Sequence, residues 1–256
     1  MFYQSIKEKI KDILGEKQSD KVRKIKENVV GSIVRTKENI INPFLVANKT
    51  KIFCIGQNKT GTTSLRQVFL DLNIVVGNQR TAENFLEEYL EGNFEPIIKY
   101  CKTGQFFQDF PFSFPPTYKY IDKAYPNSKF ILSVRDNPEQ WYNSVVNFHA
   151  KLFGNGHIPK KEDLQKAIYI REGYVWKSFS NIYKTPEDDL YNKDMMIDYY
   201  NKYNNEVIEY FADRPNDLAV INVSQNDDYK KLMNFLSIKS PFNAFPYKNK
   251  TNYTAK

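Results

Sequence analysis

The feature that most constrains this chain is a series of short apolar runs, each followed by helix-patterned sequence. Three of them, 51–55 (KIFCI), 129–134 (KFILSV) and 218–223 (LAVINV), are nearly continuous in apolar residues. A shorter one, 105–108, centres on Phe106 and Phe107. Runs of this length and composition read as strands buried on both faces. Between them, helices are expected over 63–72, 82–90, 118–124, 138 to about 152, 162–182 and 193–212, with another over 228–236 after the last strand. Strands separated by helices imply a central parallel sheet covered on both sides, a three-layer α/β/α architecture. The chain has 256 residues, enough for one such domain. In sheets of this kind ligands sit beyond the carboxyl ends of the strands. That places 56–64, Asp109 and Arg135 on one rim, because each directly follows an expected strand.

Residues 1–48 read as a separate N-terminal unit of basic amphipathic helices, with the α/β domain over 49–256. Ile6, Ile10, Ile13 and Leu14 share one helical face, and Val22, Ile25, Val29, Ile33 and Val34 another. Pro43 is expected to end this segment. Residues 1–50 hold eleven Lys/Arg against six Asp/Glu, so they carry +5 of the chain's net charge of +7. The remainder is close to neutral, which argues against a broad nucleic-acid-binding face. The N-terminal helices pack on the main domain or, as the alternatives, touch an anionic membrane surface or serve as an oligomer arm.

Two cysteines, Cys54 and Cys101, form no Cys-x-x-Cys pair, and two histidines, His149 and His157, provide no metal cluster. A disulfide framework is not expected, and Cys54 reads as core. No stretch reaches the length of a membrane span, and no signal-peptide core is visible. These observations point to a cytoplasmic protein, peripheral to a membrane if the basic helices bind one.

The strongest local signal is Gly56-Gln-Asn-Lys-Thr-Gly-Thr-Thr-Ser64, between a strand and a helix. A glycine turn at a helix N-terminus presents backbone N–H groups and the positive end of the helix dipole to an anion. Lys59 adds a point charge, and Thr60, Thr62, Thr63 and Ser64 add hydroxyls. The expected ligand group is a phosphate or phosphosulfate. In the ATP-binding loop Gly-x-x-x-x-Gly-Lys-Ser/Thr the lysine follows the second glycine. Here the lysine precedes Gly61, and Thr62 stands where that lysine would be. The departure argues against an ordinary NTPase and removes the usual reason to expect Mg²⁺; no metal site is expected.

Lys59-Thr-Gly-Thr-Thr-Ser64 after an apolar strand resembles the 5′-phosphosulfate loop of sulfotransferases that use 3′-phosphoadenosine 5′-phosphosulfate (PAPS). The segment Ser133-Val-Arg-Asp-Asn-Pro-Glu-Gln-Trp-Tyr-Asn-Ser144 is similar to the family's 3′-phosphate segment, in which a strand ends at Arg and a Ser follows on the next helix. The family spacing is usually eight and here it is nine, so Ser144 is the hydroxyl expected and Asn143 the alternative. Phe245-Pro-Tyr-Lys-Asn-Lys-Thr251 is similar to the terminal loop of the bacterial and marine-type branch, and would bring Lys248 or Lys250 to the 3′-phosphate. The resemblance covers about 51–251. It implies a P-loop NTPase-like fold and a cofactor-binding set of Lys59, Thr60, Gly61, Thr62, Thr63, Ser64, Arg135, Ser144, Lys248 and Lys250. The reaction implied is sulfuryl transfer from PAPS, leaving 3′-phosphoadenosine 5′-phosphate (PAP), to a hydroxyl or amine of a small-molecule, glycan or lipid acceptor. Lys59 would stabilise charge on the leaving nucleotide. The chief alternative is a nucleotide kinase or NTPase with a degenerate loop; another is a non-catalytic scaffold.

The family's general base is a strand-end His with a Pro two residues on. Asp109, in Gln-Asp-Phe-Pro111, stands in a similar position, and the lysine that usually precedes the base is replaced by Phe107-Gln108. Asp109 is therefore the first candidate base, with capping of the next turn as the competing reading. His149, beyond Ser144 on the same helix, is the second candidate, and Glu87 and Glu88 are outsiders. Trp141 and Tyr142 read as core, with adenine stacking the sharper option. Tyr199, Tyr200 and Tyr203 form a helical stripe, read as packing or as an acceptor pocket.

Overall fold

A computed structural model of the protein describes residues 31–34 and 36–246. The four expected strands are present as β1 (Ile52–Cys54), β2 (Phe106–Phe107), β3 (Lys129–Ser133) and β4 (Leu218–Ile221). They form one parallel sheet in the order β2-β1-β3-β4. Ile52 pairs with Phe106 on one side and Lys129 on the other, and Phe130–Ser133 run beside Leu218–Ile221. The chain leaves β1 for one edge and then returns past it to β3. The order therefore reverses between β1 and β3, which opens a crevice at their carboxyl ends.

The helices are α1 (Asn42–Val46), α2 (Thr62–Asp71), α3 (Gln79–Glu83), α4 (Leu86–Leu90), α5 (Glu95–Tyr100), α6 (Thr117–Ala124), α7 (Pro138–Phe153), α8 (Lys161–Lys166), α9 (Tyr174–Tyr183), α10 (Lys193–Tyr210) and α11 (Asn226–Leu236). Alternation along the strands sorts their side chains into two cores. Ile52, Cys54, Ile131 and Ile221 pack against Leu65, Val68 and Phe69 of α2 and Leu232 of α11. Phe53, Ile55, Phe130 and Leu132 pack against α5, α6 and α10. Phe53 lies 5.5–5.8 Å, centroid to centroid, from Phe107, Phe112 and Phe130. A fully buried ring of this kind contributes about 1.5–3 kcal/mol through lost apolar surface. A third cluster, including Trp141, Val145, Tyr174 and Phe179, covers the strand ends. Cys54 and Cys101 are free and buried.

Several boundaries differ from the sequence reading. The expected helix 82–90 is two short ones, α3 and α4. The expected 162–182 helix breaks between α8 and α9, where Gly173 has φ +75°. Helix α5 was not expected; Pro96 stands in its first turn, where its missing N–H costs no bond. Pro43 does not end the N-terminal segment. A short π-helix, Lys37–Ile41, leads into α1, and Pro43 occupies the first turn of that helix. Asn42 and Val46 of α1 are buried, while Ile40, Ile41, Phe44 and Leu45 are exposed. The amphipathic pattern over 4–29, and Lys248 and Lys250, lie outside the described residues. Among the described residues no helix is long and apolar enough to cross a membrane.

Candidate active site

The loop after β1 is built by two close approaches. A Cβ on Gly56 would stand 2.2–2.4 Å from Ser133 on β3, and one on Gly61 would stand 2.2 Å from a methyl of Val223. Gly61 also has φ +96° and is the N-cap of α2. Both positions therefore require glycine. No side chain caps α2; the Ser64 and Leu65 N–H groups bond to the Gly61 carbonyl at 3.0 and 3.2 Å.

The loop is held from below by the tyrosine stripe of α10. Tyr203 donates to the Ile55 carbonyl at 2.7 Å, Gln57 Nε2 donates to Tyr199 Oη at 3.4 Å, and the Arg135 N–H donates to Tyr200 Oη at 3.1 Å. None of the three rings lines the cavity above the loop, so the packing reading holds for them. Trp141 is fully buried, stacks on Tyr200 with centroids 4.6 Å apart, and donates Nε1–H to the Asn58 carbonyl at 3.0 Å. It braces the loop and is not placed to stack on a nucleotide. Tyr142 donates to the Tyr191 carbonyl at 2.8 Å and also packs inward.

Above the loop lies a cavity of about 400 Å³. Its lining brings together Lys59, Gly61, Thr62, Thr63, Ser64, Asp109, Arg135, Ser144 and His149. These residues follow β1, β2 and β3, and two of them ride on α7. Arg135 Nε donates to the Lys59 carbonyl at 2.6 Å, tying the two strand ends to each other. The Asp136 carboxylate accepts from Gln140, Asn222, Ser224 and Gln225, which holds it below the usual carboxylate range. Ser144 lines the cavity, whereas Asn143 is exposed and outside it. Thr60 is a correction: its buried hydroxyl bonds to the Gln57 carbonyl at 2.6 Å and to Ser133 Oγ at 2.5 Å, so it secures the loop and offers no hydroxyl to a ligand. Glu87 is another, since it pairs with Arg171 and Lys177 outside the cavity; Glu88 is likewise not in the lining.

Two cavity residues hold left-handed backbone, Lys59 at φ 72° and Asp109 at φ 53°. For lysine this conformation costs about 1 kcal/mol, and such strain concentrates where function demands it. The Lys59 ammonium lies 3.7 Å from the centroid of the Phe148 ring. Burial lowers its pKa, nearby Arg135 lowers it further, and Asp109 opposes both. Burial pushes the Asp109 carboxyl up to about 6, against the pull of a hydrogen bond with Thr62 and with Glu83 adding to the rise. Gln108 Nε2 donates to its Oδ2 at 3.0 Å. Burial lowers His149 to about 4, Lys59 adding to the effect, and its Nδ1 is 2.9 Å from Tyr191 Oη.

The sequence reading missed Glu83. It is 6% exposed, lines the cavity, accepts from Tyr169 Oη at 2.8 Å and pairs with Arg80. It also missed the ring-lined wall supplied by Phe110, Phe153, Tyr169, Tyr174 and Phe179. The only trace of that wall in the sequence is the 15% aromatic content, which carries no position.

Comparison with curated proteins gives no match. A family model described as a sulfotransferase domain matches residues 51–254, which include every strand among the described residues and the whole lining of the cavity, and the chain belongs to that family.

Proposed function

We propose that the chain transfers a sulfuryl group from PAPS to a hydroxyl or amine of an acceptor bound beside Asp109. The observation that carries this reading is that Lys59 and Arg135, from the segments that follow the adjacent strands β1 and β3, line one cavity at the N-terminus of α2, which no side chain caps. The donor set suits a nucleotide with two separate anionic groups. The N–H groups of α2, the Lys59 ammonium and the hydroxyls of Thr62, Thr63 and Ser64 would hold the 5′-phosphosulfate. The planar guanidinium of Arg135 and the hydroxyl of Ser144 would hold the 3′-phosphate. On this reading the strand–loop–helix is a P-loop-like element with its lysine moved to the near side of the second glycine. Where an ATP loop puts a lysine this one has Thr62, which favours PAPS over ATP.

When bound, PAPS supplies a sulfuryl group whose S–O bond to the 5′-phosphate breaks, electron pair leaving on the phosphate oxygen, as the acceptor's O–S or N–S bond forms. The residues position and stabilise rather than react covalently. With its carboxyl near 6, Asp109 is ionised at neutral pH and takes the acceptor proton. Lys59 neutralises charge gathering on the leaving phosphate oxygen. His149, neutral at that pH, is the second candidate base.

Titration calorimetry with PAP and with ATP tests the assignment. PAP is expected to bind and ATP not to displace it. Arg135→Ala is expected to weaken PAP by roughly ten- to a hundred-fold, as for loss of a charge-assisted pair. Equal binding of ATP would favour the nucleotide-kinase reading instead.

A further inference from the structure

Phe148 is a large ring that packing does not account for. It is 38% exposed and belongs to none of the three buried clusters, although Trp141 and Val145 of the same helix are buried in one of them. Those two anchors fix α7, and Ser144 and Phe148, four residues apart on one face of it, both line the cavity. The face of the Phe148 ring is occupied by a charge. Lys59 Nζ lies 3.7 Å from its centroid, well inside the reach of about 6 Å for a cation over an aromatic face. The contact is therefore made by the ammonium itself and not by a methylene stem resting on the ring.

Lys59 is thus held at both ends. Its carbonyl accepts from Arg135 Nε at 2.6 Å, and its ammonium meets Phe148. The cavity also contains an opposite charge, Asp109, yet among the described residues no ion pair joins Lys59 to a carboxylate. The choice of partner matters to an incoming anion. A carboxylate neutralises a lysine and competes with a phosphate for it. A ring face attracts the cation through its quadrupole and leaves the net charge whole. It engages one side of the ammonium, which has three donors, so the others are left for oxygen acceptors. Burial and Arg135 act against the charge on Lys59; the ring supports that charge without bringing an anion.

We propose that Phe148 is a positioning residue of this site: its ring face holds the Lys59 ammonium beside the glycine loop, where it meets the 5′-phosphate end of the nucleotide. This proposal rests on the PAPS-dependent reading. The ordering of a long, rotamer-rich side chain, which otherwise weakens ligand binding, is then complete before the nucleotide arrives.

The test uses the full chain, with PAP as the titrant in calorimetry and lysine-labelled protein in NMR. The variants are Phe148→Leu, Phe148→Tyr and a series in which mono-, di- and trifluorinated phenylalanine replaces Phe148. Fluorination drains the negative ring face with little change of shape, so a purely structural role would not respond to it. In the wild type the ε-methylene resonance of Lys59, assigned with Lys59→Arg, is expected upfield of the other lysines because of the ring current, and to return among them in Phe148→Leu. Phe148→Leu is expected to raise the PAP Kd roughly 2- to 10-fold, Phe148→Tyr to stay within about twofold of wild type, and the fluorinated series to rise with each fluorine. No upfield Lys59 resonance would show that the ring and the ammonium are not in contact and would overturn the proposal. Unchanged affinity across the fluorinated series, or tighter binding in Phe148→Leu, would overturn the positioning role and leave the nucleotide reading standing. Failure of the wild type to bind PAP would overturn both.

Discussion

Asp109→Asn separates the activity of this site from its stability. A buried carboxyl with its pKa raised from 3.8 to about 6 is a cost to the folded state wherever it is ionised. Between those two values the folded chain takes up the proton before the unfolded chain does. Stability therefore rises as pH falls through about 6, the opposite of the behaviour of a salt-bridged aspartate. Above pH 6 the whole cost is present, and the gap corresponds to ~3 kcal/mol as an upper figure, since the carboxyl opens onto the cavity. Asparagine is the neutral form made permanent and retains an oxygen that can accept from Gln108 or Thr62. Urea denaturation at pH 7.5 is expected to show the variant more stable than the wild type by a fraction of that figure up to the whole. At pH 4 the advantage should shrink below about 1 kcal/mol, because the wild-type carboxyl is then protonated in the folded state. Sulfate transfer by the variant should fall by roughly 10²–10⁴, the usual contribution of a positioned base. In the wild type, kcat should rise with pH through about 6 and level off above it. A variant no more stable than wild type at pH 7.5 would refute the burial argument. One that keeps full activity would refute the role as base and turn attention to His149.

Lys59→Ala is expected to lower kcat by about 10²–10³, as for removal of a charge-stabilising donor, while circular dichroism and the melting profile stay near wild type. Gly61→Ala forces a side chain into left-handed backbone and onto a Val223 methyl 2.2 Å away. It is expected to cost at least about 1–2 kcal/mol in urea denaturation, with Gly61→Ala/Val223→Ala recovering part of the loss; full stability in the single variant would contradict the close approach. Trp141→Phe keeps a ring to stack on Tyr200 but removes the bond to the Asn58 carbonyl and leaves a void at a fully buried site. It should cost at least about 1 kcal/mol, the void adding to the lost bond, and weaken PAP binding measured by calorimetry.

The strands and the glycine loop after β1 were legible because they are local. Apolar runs of strand length declare burial wherever they occur, and Gly56 with Gly61 at a strand-to-helix junction declares a tight turn. Arg135 was legible through its place at a strand end. The breaks at α3–α4 and α8–α9 were not, since their sequences keep a helical period across the break and only neighbouring elements decide where the chain turns. Thr60 shows the same limit at the scale of one side chain. A threonine in a phosphate loop looks like a ligand donor, and here its hydroxyl is taken up by Ser133 from β3, 73 positions away in the chain. Glu83 and the ring wall come from α3, α7, α9 and the segments beside them, and nothing in their spacing links them.

By itself, then, the sequence determined the alternation of strands and helices, the glycine turn between β1 and α2 and the identity of the strand-end residues, because propensity, burial pattern and turn chemistry act over a few neighbouring residues. Tertiary structure alone decided that β1 and β3 are adjacent, and therefore that Lys59 and Arg135 share one cavity. It alone raised the carboxyl of Asp109 and gathered rings from α7, α9 and two loops into a wall. Those properties depend on what surrounds a group in space, and that is set by strand order and packing.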